Sequence, residues 1–185
     1  MLSAACREQS FAILTSSDFW PDFHIETAAF REALDAIVPF NVTAGLRCFY
    51  STYAGQRGKQ RWGDKTPTYG VLMNAIQSIL PEAHFIHIIR DPRGVALSFR
   101  NRERWKRNGN PVANAANIWH RIVMRTRMQA RACHSYMEVR YEDLVADPEA
   151  QIKRICVFLD LPYAACVLPA VRATRLDPTV ALRAE

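Results

Sequence analysis

The sequence predicts an α/β fold in which helices flank a parallel β-sheet. Segments with strand-like and helix-like patterns alternate through the second half of the chain, which is typical of this class. One of them, HFIHIIR at residues 84–90, has the length and β-branched content of a strand buried on both faces of a parallel sheet. With 185 residues, of which 49% are hydrophobic, the chain is suited to a single domain with a sizeable core.

Two amphipathic helices are predicted near the start of the chain, over residues 26–38 and 41–55. In the first of them, five apolar residues recur on one face: Ala29, Phe30, Ala33, Leu34 and Ile37. Both helices are expected to be scaffold. A third helix is predicted over residues 68–80, where Pro81 ends it.

The strand at 84–90 is followed by helix-start signals. Asp91 is expected to cap the next helix, and Pro92 fits its first turn. Gly94 allows close approach of another group to the backbone. This helix is predicted to continue to about residue 105.

The remaining elements repeat the alternation. A long basic helix over residues 112–132 leads to a second strand in SYMEVRYEDL, residues 135–144. Asp147 caps the last helix and Pro148 opens it. Its apolar stripe consists of Ile152, Ile155, Cys156 and Leu159.

The charge of the chain predicts an anionic partner. The formal net charge is +6, and the arginines gather between Arg90 and Arg131. A nucleotide, a phosphate or sulfate ester, or a nucleic acid would suit this charge. A solvated basic face is the alternative explanation. On the helix at 112–132 the arginines fall in pairs at i, i+4 spacing: Arg121 with Arg125, and Arg127 with Arg131.

The cysteines and the N-terminus predict a cytoplasmic protein. The cysteines form no CxxC pair and no cluster at metal-ligand spacing, so reduced thiols and no metal site are expected. They are Cys6, Cys48, Cys133, Cys156 and Cys166. Arg7 and Glu8 stand where a signal peptide would be apolar, and we expect no membrane span.

Arg90 stands where ligands bind in open parallel sheets, at the carboxyl end of a strand and the start of a helix. Its guanidinium is suited to grip a phosphate with two parallel hydrogen bonds. Ser98, about two turns into the helix, is placed to add a hydroxyl. The alternative is a structural arginine paired with Asp91 or Glu142.

Four stretches together resemble the sulfotransferases that use 3′-phosphoadenosine 5′-phosphosulfate (PAPS), of the bacterial type. IIRDPRGVALS resembles their 3′-phosphate segment, and RWGDKTPTY resembles their lysine motif. VRYEDLVADPEAQIKRICVFLDLPY and NPVANAANIWHRIV resemble the Tyr-Glu-Asp segment and the connecting helix. The likeness covers residues 61–163 and implies a P-loop-NTPase-like parallel sheet flanked by helices.

The resemblance assigns roles to four residues. Arg90 and Ser98 would bind the 3′-phosphate, and Tyr141 would lie against the nucleotide. Packing of Tyr141 on the next helix is the alternative. Lys65 would be catalytic, facing the sulfuryl group or its bridging oxygen. The resemblance implies PAPS as cosubstrate, no metal, and a small-molecule, carbohydrate or peptide acceptor.

The sequence departs from the family in two places. Pro67 occupies the position at which cytosolic relatives carry a histidine base, and no Gly-Thr-Thr-type phosphosulfate loop occurs between Met1 and Arg61. We therefore expect a fold incomplete at its N-terminus, and the chain to be either a fragment or a shortened relative. The residues weighed as a replacement base, each as readily structural, are Asp18, Asp22, His24 and Asp64.

These observations predict one domain over residues 1–185. Residues 1–60 would be helical, on the possible acceptor side, residues 61–163 would form the nucleotide-binding core, and residues 164–185 would be a tail. Sulfuryl transfer from PAPS to a hydroxyl or amine is the leading function, with activity truncated or impaired as an open question. A noncatalytic relative that binds a nucleotide or an acidic partner is the alternative. A basic nucleic-acid-binding domain is the third hypothesis, and nucleic acid is the less expected partner because no known module for it is present.

Overall fold

The structure, a computed structural model, describes residues 2–100 and 111–163. The chain divides into two compact units, Met1–Pro67 and Thr68–Glu185. The helices of the first unit are α1 (Leu2–Thr15), α2 (Thr27–Asp35) and α3 (Val42–Gly55). In the second unit the order is α4 (Met73–Ile79), β1 (Phe85–Ile89), α5 (Pro92–Arg100), α6 (Pro111–Ala130), β2 (Tyr136–Arg140), α7 (Tyr141–Ala146) and α8 (Pro148–Phe158). Two short 3-10 segments lie at Trp20–Phe23 and Pro67–Val71.

The first unit is a helical cluster around an aromatic core. Its buried residues are Trp20, Ile25, Phe30, Leu34, Phe40 and Phe49. The predicted helices α2 and α3 are confirmed, and each has a side-chain cap: Glu26 accepts from the amides of Ala28 and Ala29, and Asn41 accepts from that of Ala44. Helix α2 ends before the predicted residue 38, since the residue preceding Pro39 avoids helical geometry.

Helix α1 is not predicted by the sequence. Its apolar residues do not fall on one face, so the pattern lacks the periodicity that marks an amphipathic helix. Phe11 and Leu14 nevertheless pack against the core of the first unit.

The second unit contains a parallel two-stranded sheet. Strands β1 and β2 pair in register from Phe85 opposite Tyr136 to Ile89 opposite Arg140. The prediction that β1 is buried on both faces is wrong at Ile88, which is 50% exposed, because the described sheet has only two strands. The second strand ends at Arg140, and the residues after it form α7 instead of extending the strand to 144.

Two helices of the second unit differ from their predicted bounds. A 3-10 segment and α4 replace the continuous helix expected over residues 68–80. The Gln77 amide donates to the carbonyls of Leu80 and Pro81 and so closes α4. Helix α5 begins at Pro92 as predicted, and the part expected beyond residue 100 lies outside the described residues. Helix α6 packs on α4 and α5.

The cysteines and the helices carry two further observations. Cys6, Cys48, Cys133 and Cys156 are free thiols, and Cys166 lies outside the described residues. Within residues 2–100 and 111–163, every helix is too short or too polar to cross a bilayer. Over the same ranges, no group of three or more His, Cys, Asp or Glu is arranged to hold a metal ion.

Candidate active site

The carboxyl ends of the two strands bring Arg90 and Tyr141 together. Arg90 directly follows β1 and Tyr141 directly follows β2, and the strands are parallel with Ile89 opposite Arg140. The Arg90 guanidinium lies over the Tyr141 ring, with Cζ 5.0 Å from the ring centroid. This is a cation–π contact, and Arg90 is exposed to solvent.

The acids near Arg90 make other contacts. The Asp91 carboxylate pairs with Arg93, at 3.0 Å from Nε and 2.8 Å from Nη2. The Glu142 carboxylate accepts from the backbone N–H of Asp91 at 2.8 Å. Among the described residues no carboxylate pairs with the Arg90 guanidinium, so a structural ion pair with Asp91 or Glu142 does not account for it.

The start of α5 already holds an anion. Asp91 Oδ1 accepts from the Arg93 amide at 2.8 Å, which confirms Asp91 as the cap. The hydrogen bond from the Arg93 side chain is the largest of the causes that lower the pKa of Asp91 to about 2. A carboxylate therefore already occupies the anion-favouring end of helix α5.

Gly94 and Ser98 define the helix face beside Arg90. A Cβ atom at Gly94 would lie 3.1 Å from Arg90 Nε and 3.6 Å from Nη2, so a glycine leaves room for the guanidinium. Ser98 is four residues further along α5, hence on the same face, and it is exposed. We call Arg90, Gly94, Ser98 and Tyr141 the strand-end site.

Two other side chains bind the backbone at this site, and the sequence does not predict either contact. The indole N–H of Trp119, from α6, donates to the Arg90 carbonyl at 2.8 Å. Glu142, from α7, accepts from the Asp91 amide as described. The indole of Trp119 has a single N–H donor, and nothing in the sequence pattern identifies the acceptor that this donor will find.

Lys65 belongs to the first unit and is described there by itself. It is exposed in a segment without regular secondary structure, residues 61–66, which we call the lysine loop. Its neighbour Asp64 accepts from the Tyr50 hydroxyl at 2.8 Å and from the Thr66 hydroxyl at 2.6 Å. The Tyr50 ring stacks on Trp62 with centroids 4.2 Å apart. These contacts hold the backbone on both sides of Lys65.

The residues weighed as replacement bases divide by their contacts. Asp64 is engaged by two hydroxyls, which suits a structural acid in the loop. Asp18 and Asp22 are exposed residues near the 3-10 segment Trp20–Phe23. His24 adopts a left-handed backbone with φ of 53° and ends that segment. The aromatic residues around them, Trp20 and Phe23, pack in the core of the unit instead of lining an open pocket.

A polar network lies on one face of the sheet. Tyr136 donates to Glu138 Oε1 at 2.7 Å and contacts His87 Nδ1 at 2.8 Å, and Arg127 from α6 makes a two-pronged ion pair with Glu138. The Arg127 hydrogen bond is the main cause that lowers the pKa of Glu138 to about 2. Burial raises the pKa of the Tyr136 hydroxyl and lowers that of His87. Arg127 is therefore ion-paired with Glu138 although its side chain is half-exposed.

The other arginines on α6 and directly after it differ from Arg127 in their partners, because Arg127 pairs with Glu138. Arg121, Arg125 and Arg131 are exposed. In the described parts of the chain no carboxylate pairs with them. A solvated basic face therefore remains a sufficient description of these three residues.

The fold resembles that of a solved sulfotransferase domain, the one from the curacin biosynthetic pathway. The TM-score is 0.55 at 18% identity, and the match covers 85% of this chain and 55% of that one. At this identity the likeness shows the fold, and it confirms the predicted α/β fold of the P-loop-NTPase type.

The family follows from the sequence comparisons. The model of the sulfotransferase family matches residues 10–165. The omega-hydroxy-beta-dihydromenaquinone-9 sulfotransferase Stf3 of Mycobacterium bovis is 29% identical over 61% of this chain, and the nodulation protein NoeE of Sinorhizobium fredii is 30% identical over 68%. The chain belongs to the sulfotransferase family. It spans about a third of the length of these relatives, 32% and 34% respectively.

Proposed function

We propose that this chain takes part in sulfuryl transfer from PAPS to an acceptor hydroxyl or amine. The observation that carries the proposal is the strand-end site, where an exposed guanidinium without a carboxylate partner among the described residues lies against an aromatic ring. Family membership supports a sulfotransferase reaction, the resemblance to the PAPS-dependent sulfotransferases implies the donor, and the strand-end site offers a cation suited to its 3′-phosphate.

The residues of the strand-end site fit the 3′-phosphate end of the donor. A phosphate accepts two parallel hydrogen bonds from one guanidinium, and the Ser98 hydroxyl lies on the helix face beside Arg90. The Tyr141 ring offers an apolar surface against which the nucleotide would lie. When bound, PAPS supplies the activated sulfuryl group, and these residues bind and orient its nucleotide.

Lys65 is proposed to stabilise the transfer. In-line transfer of a sulfuryl group places negative charge on equatorial and leaving oxygens, as in phosphoryl transfer, and a positioned cation lowers that barrier. The contacts of Trp62 and Asp64, which precede the lysine, and of Thr66, which follows it, limit the conformations of the loop that carries it.

The acceptor is proposed to be a hydroxyl in the first instance. The name of the mycobacterial relative identifies its own acceptor as an omega-hydroxy group on a quinone. Amines remain within the proposal, because both groups deliver a lone pair to sulfur and lose one proton.

Binding of adenosine 3′,5′-bisphosphate, the nucleotide left after transfer, tests the proposal. We expect this nucleotide to raise the melting temperature of the chain, and Arg90→Ala to remove the shift. A matched control is Arg57→Ala, an exposed arginine of the first unit that stacks on Tyr53. Absence of a shift with the folded wild-type chain would overturn the proposal.

A noncatalytic relative that binds the nucleotide is the second candidate. Pro67 stands at the position of the histidine base of the cytosolic branch, which favours this candidate. The two functions predict the same thermal shift and differ in turnover. Transfer of labelled sulfate from PAPS to an alcohol or amine would exclude the noncatalytic one, and binding without transfer to any acceptor of a broad panel would support it.

A further inference from the structure

One peptide group at the strand-end site is held on both of its edges by side chains. The Arg90 carbonyl and the Asp91 N–H belong to the same planar unit. Trp119 donates to the carbonyl at 2.8 Å, and Glu142 accepts from the N–H at 2.8 Å. In a trans peptide these two groups point in opposite directions, so the two side chains hold the unit from opposite sides.

Such a grip restricts one backbone torsion of Arg90. Rotation about ψ of Arg90 turns this peptide plane and would break both hydrogen bonds together. The strand ladder cannot provide the restraint, since the paired register ends at Ile89 opposite Arg140. Side chains from α6 and α7 therefore restrain the backbone at the residue where β-sheet pairing ends.

The same two hydrogen bonds also help to fix the position of the Arg90 guanidinium relative to Tyr141 and Gly94. Glu142 is adjacent in sequence to Tyr141, so its bond to the Asp91 amide also fixes the distance between the Tyr141 ring and Arg90. Gly94 leaves space for the guanidinium on the other side. An arginine side chain has several rotatable bonds, and its phosphate-binding geometry is preserved only if its backbone is fixed.

We propose that Trp119 and Glu142 are positioning residues that hold Arg90 in the orientation in which it binds the 3′-phosphate. The inference rests on the proposed function. It assigns no contact with the nucleotide to Trp119 or Glu142, and both act through the Arg90–Asp91 peptide group.

The test measures how much the 3′-phosphate contributes to binding. The dissociation constants of adenosine 3′,5′-bisphosphate and of adenosine 5′-phosphate are measured for each variant. The constant for the 5′-phosphate divided by that for the bisphosphate is the ratio that reports this contribution. We expect Trp119→Phe to reduce the ratio about three- to tenfold, as for one lost hydrogen bond. Glu142→Ala is expected to reduce it about tenfold or more, while Glu142→Gln, which retains an acceptor oxygen, stays within about threefold of wild type.

Coupling to Arg90 separates positioning from general stability. In an Arg90→Ala background, Trp119→Phe is expected to leave the ratio unchanged, because there is no guanidinium left to orient. Matched controls are Trp20→Phe, which removes the indole bond to Thr27 in the first unit, and Glu149→Ala, which removes the pair with Lys153. Both controls should leave the ratio unchanged even where they lower the melting temperature.

The outcomes are distinguishable. The inference would be overturned if Trp119→Phe and Glu142→Ala weakened the binding of both nucleotides equally, so that the ratio stayed unchanged. It would also be overturned if their effects added to that of Arg90→Ala. Either result would leave the proposed function intact. A wild-type chain with no preference for the 3′-phosphate would overturn both. If Trp119→Phe does not fold, the comparison of Glu142→Ala with Glu142→Gln decides the matter.

Discussion

The strand-end site and the lysine loop hold their charged side chains in different ways. Arg90 leaves a parallel strand, and helices from distant parts of the sequence fix its backbone. Lys65 lies in an irregular segment that is restrained by its own neighbours and by Tyr50 from α3. A backbone fixed by packed helices at a strand end is suited to recognition of an invariant group, whereas a loop tolerates adjustment during a reaction.

The difference predicts separate kinetic effects, and the largest is expected at Lys65. Lys65→Ala removes the cation proposed to stabilise the transferring group, so the rate of sulfate transfer should fall by about 10²- to 10³-fold. Affinity for adenosine 3′,5′-bisphosphate should stay within about threefold, because the strand-end site is untouched. Transfer assays with labelled PAPS and a binding titration measure the two quantities.

The separation of roles between Lys65 and the strand-end site would be contradicted if Lys65→Ala weakened nucleotide binding as strongly as Arg90→Ala does. Lys59→Ala is the matched control, since Lys59 is exposed and lies outside the lysine loop. It should change neither the transfer rate nor the affinity.

The second prediction concerns Gly94 in the strand-end site. Gly94→Ala places a methyl group 3.1 Å from Arg90 Nε, so the guanidinium must move. We expect binding of adenosine 3′,5′-bisphosphate to weaken about three- to tenfold, the size of one hydrogen bond, as measured by calorimetry. Helix stability should not suffer, because alanine is the better helix former.

Gly55→Ala is the control for this substitution. Gly55 is likewise a helical glycine, the last residue of α3, and a Cβ there would have no atom within 4 Å. If both glycine variants bound the nucleotide like wild type, close approach of Arg90 to α5 would have no functional role.

How far the sequence predicts the strand-end site depends on what its pattern encodes. A β-branched run that ends in Arg90 before an Asp-Pro helix start predicts both the strand and the position of the arginine. The predicted second strand, residues 135–144, includes Tyr141, whereas the strand in the structure ends at Arg140, one residue before it. The partners of the Arg90–Asp91 peptide could not be predicted, because such contacts depend on how α6 packs and leave no period in the sequence.

The lysine loop and helix α1 are regions whose structure the sequence pattern does not predict. The motif around Lys65 is recognisable only by its resemblance to the family motif, because an irregular segment has no periodic pattern of apolar residues. Stacking of Tyr50 on Trp62 joins residues twelve apart through the fold of the first unit. The sequence does not predict helix α1, because its apolar residues are spread around its circumference and its packing on the core is a tertiary effect.

The third prediction tests the restraint on the lysine loop. Tyr50→Phe removes the hydroxyl that donates to Asp64 and keeps the ring that stacks on Trp62. We expect about a three- to fivefold lower transfer rate with unchanged nucleotide affinity, because Asp64 keeps its bond from Thr66. Tyr53→Phe, which retains the ring beneath Arg57, is the control. Equal rates for the two variants would mean that the Tyr50 hydroxyl has no part in holding the loop.

The last prediction asks whether the polar network in the sheet contributes to the strand-end site or only to stability. The pKa of Glu138 is lowered from its ordinary value of 4.5 to about 2, mainly by Arg127. Since the folded-state pKa is the lower one, the network stabilises the fold fully above pH 4.5 and loses this contribution as the pH falls toward 2. Glu138→Gln should therefore be less stable by about 1 kcal/mol at neutral pH, after allowance for partial solvent screening.

Urea unfolding of Glu138→Gln and wild type at several pH values checks the sign. The difference between them should shrink between pH 4.5 and pH 2, whereas Glu149→Gln, at an exposed ion pair of α8, should differ from wild type by less than about 0.5 kcal/mol throughout. Nucleotide affinity of Glu138→Gln at neutral pH should match wild type, because the Arg90–Asp91 peptide group does not contact the network. A weaker affinity would mean that the sheet face, and not only the grip of Trp119 and Glu142, sets the orientation of Arg90.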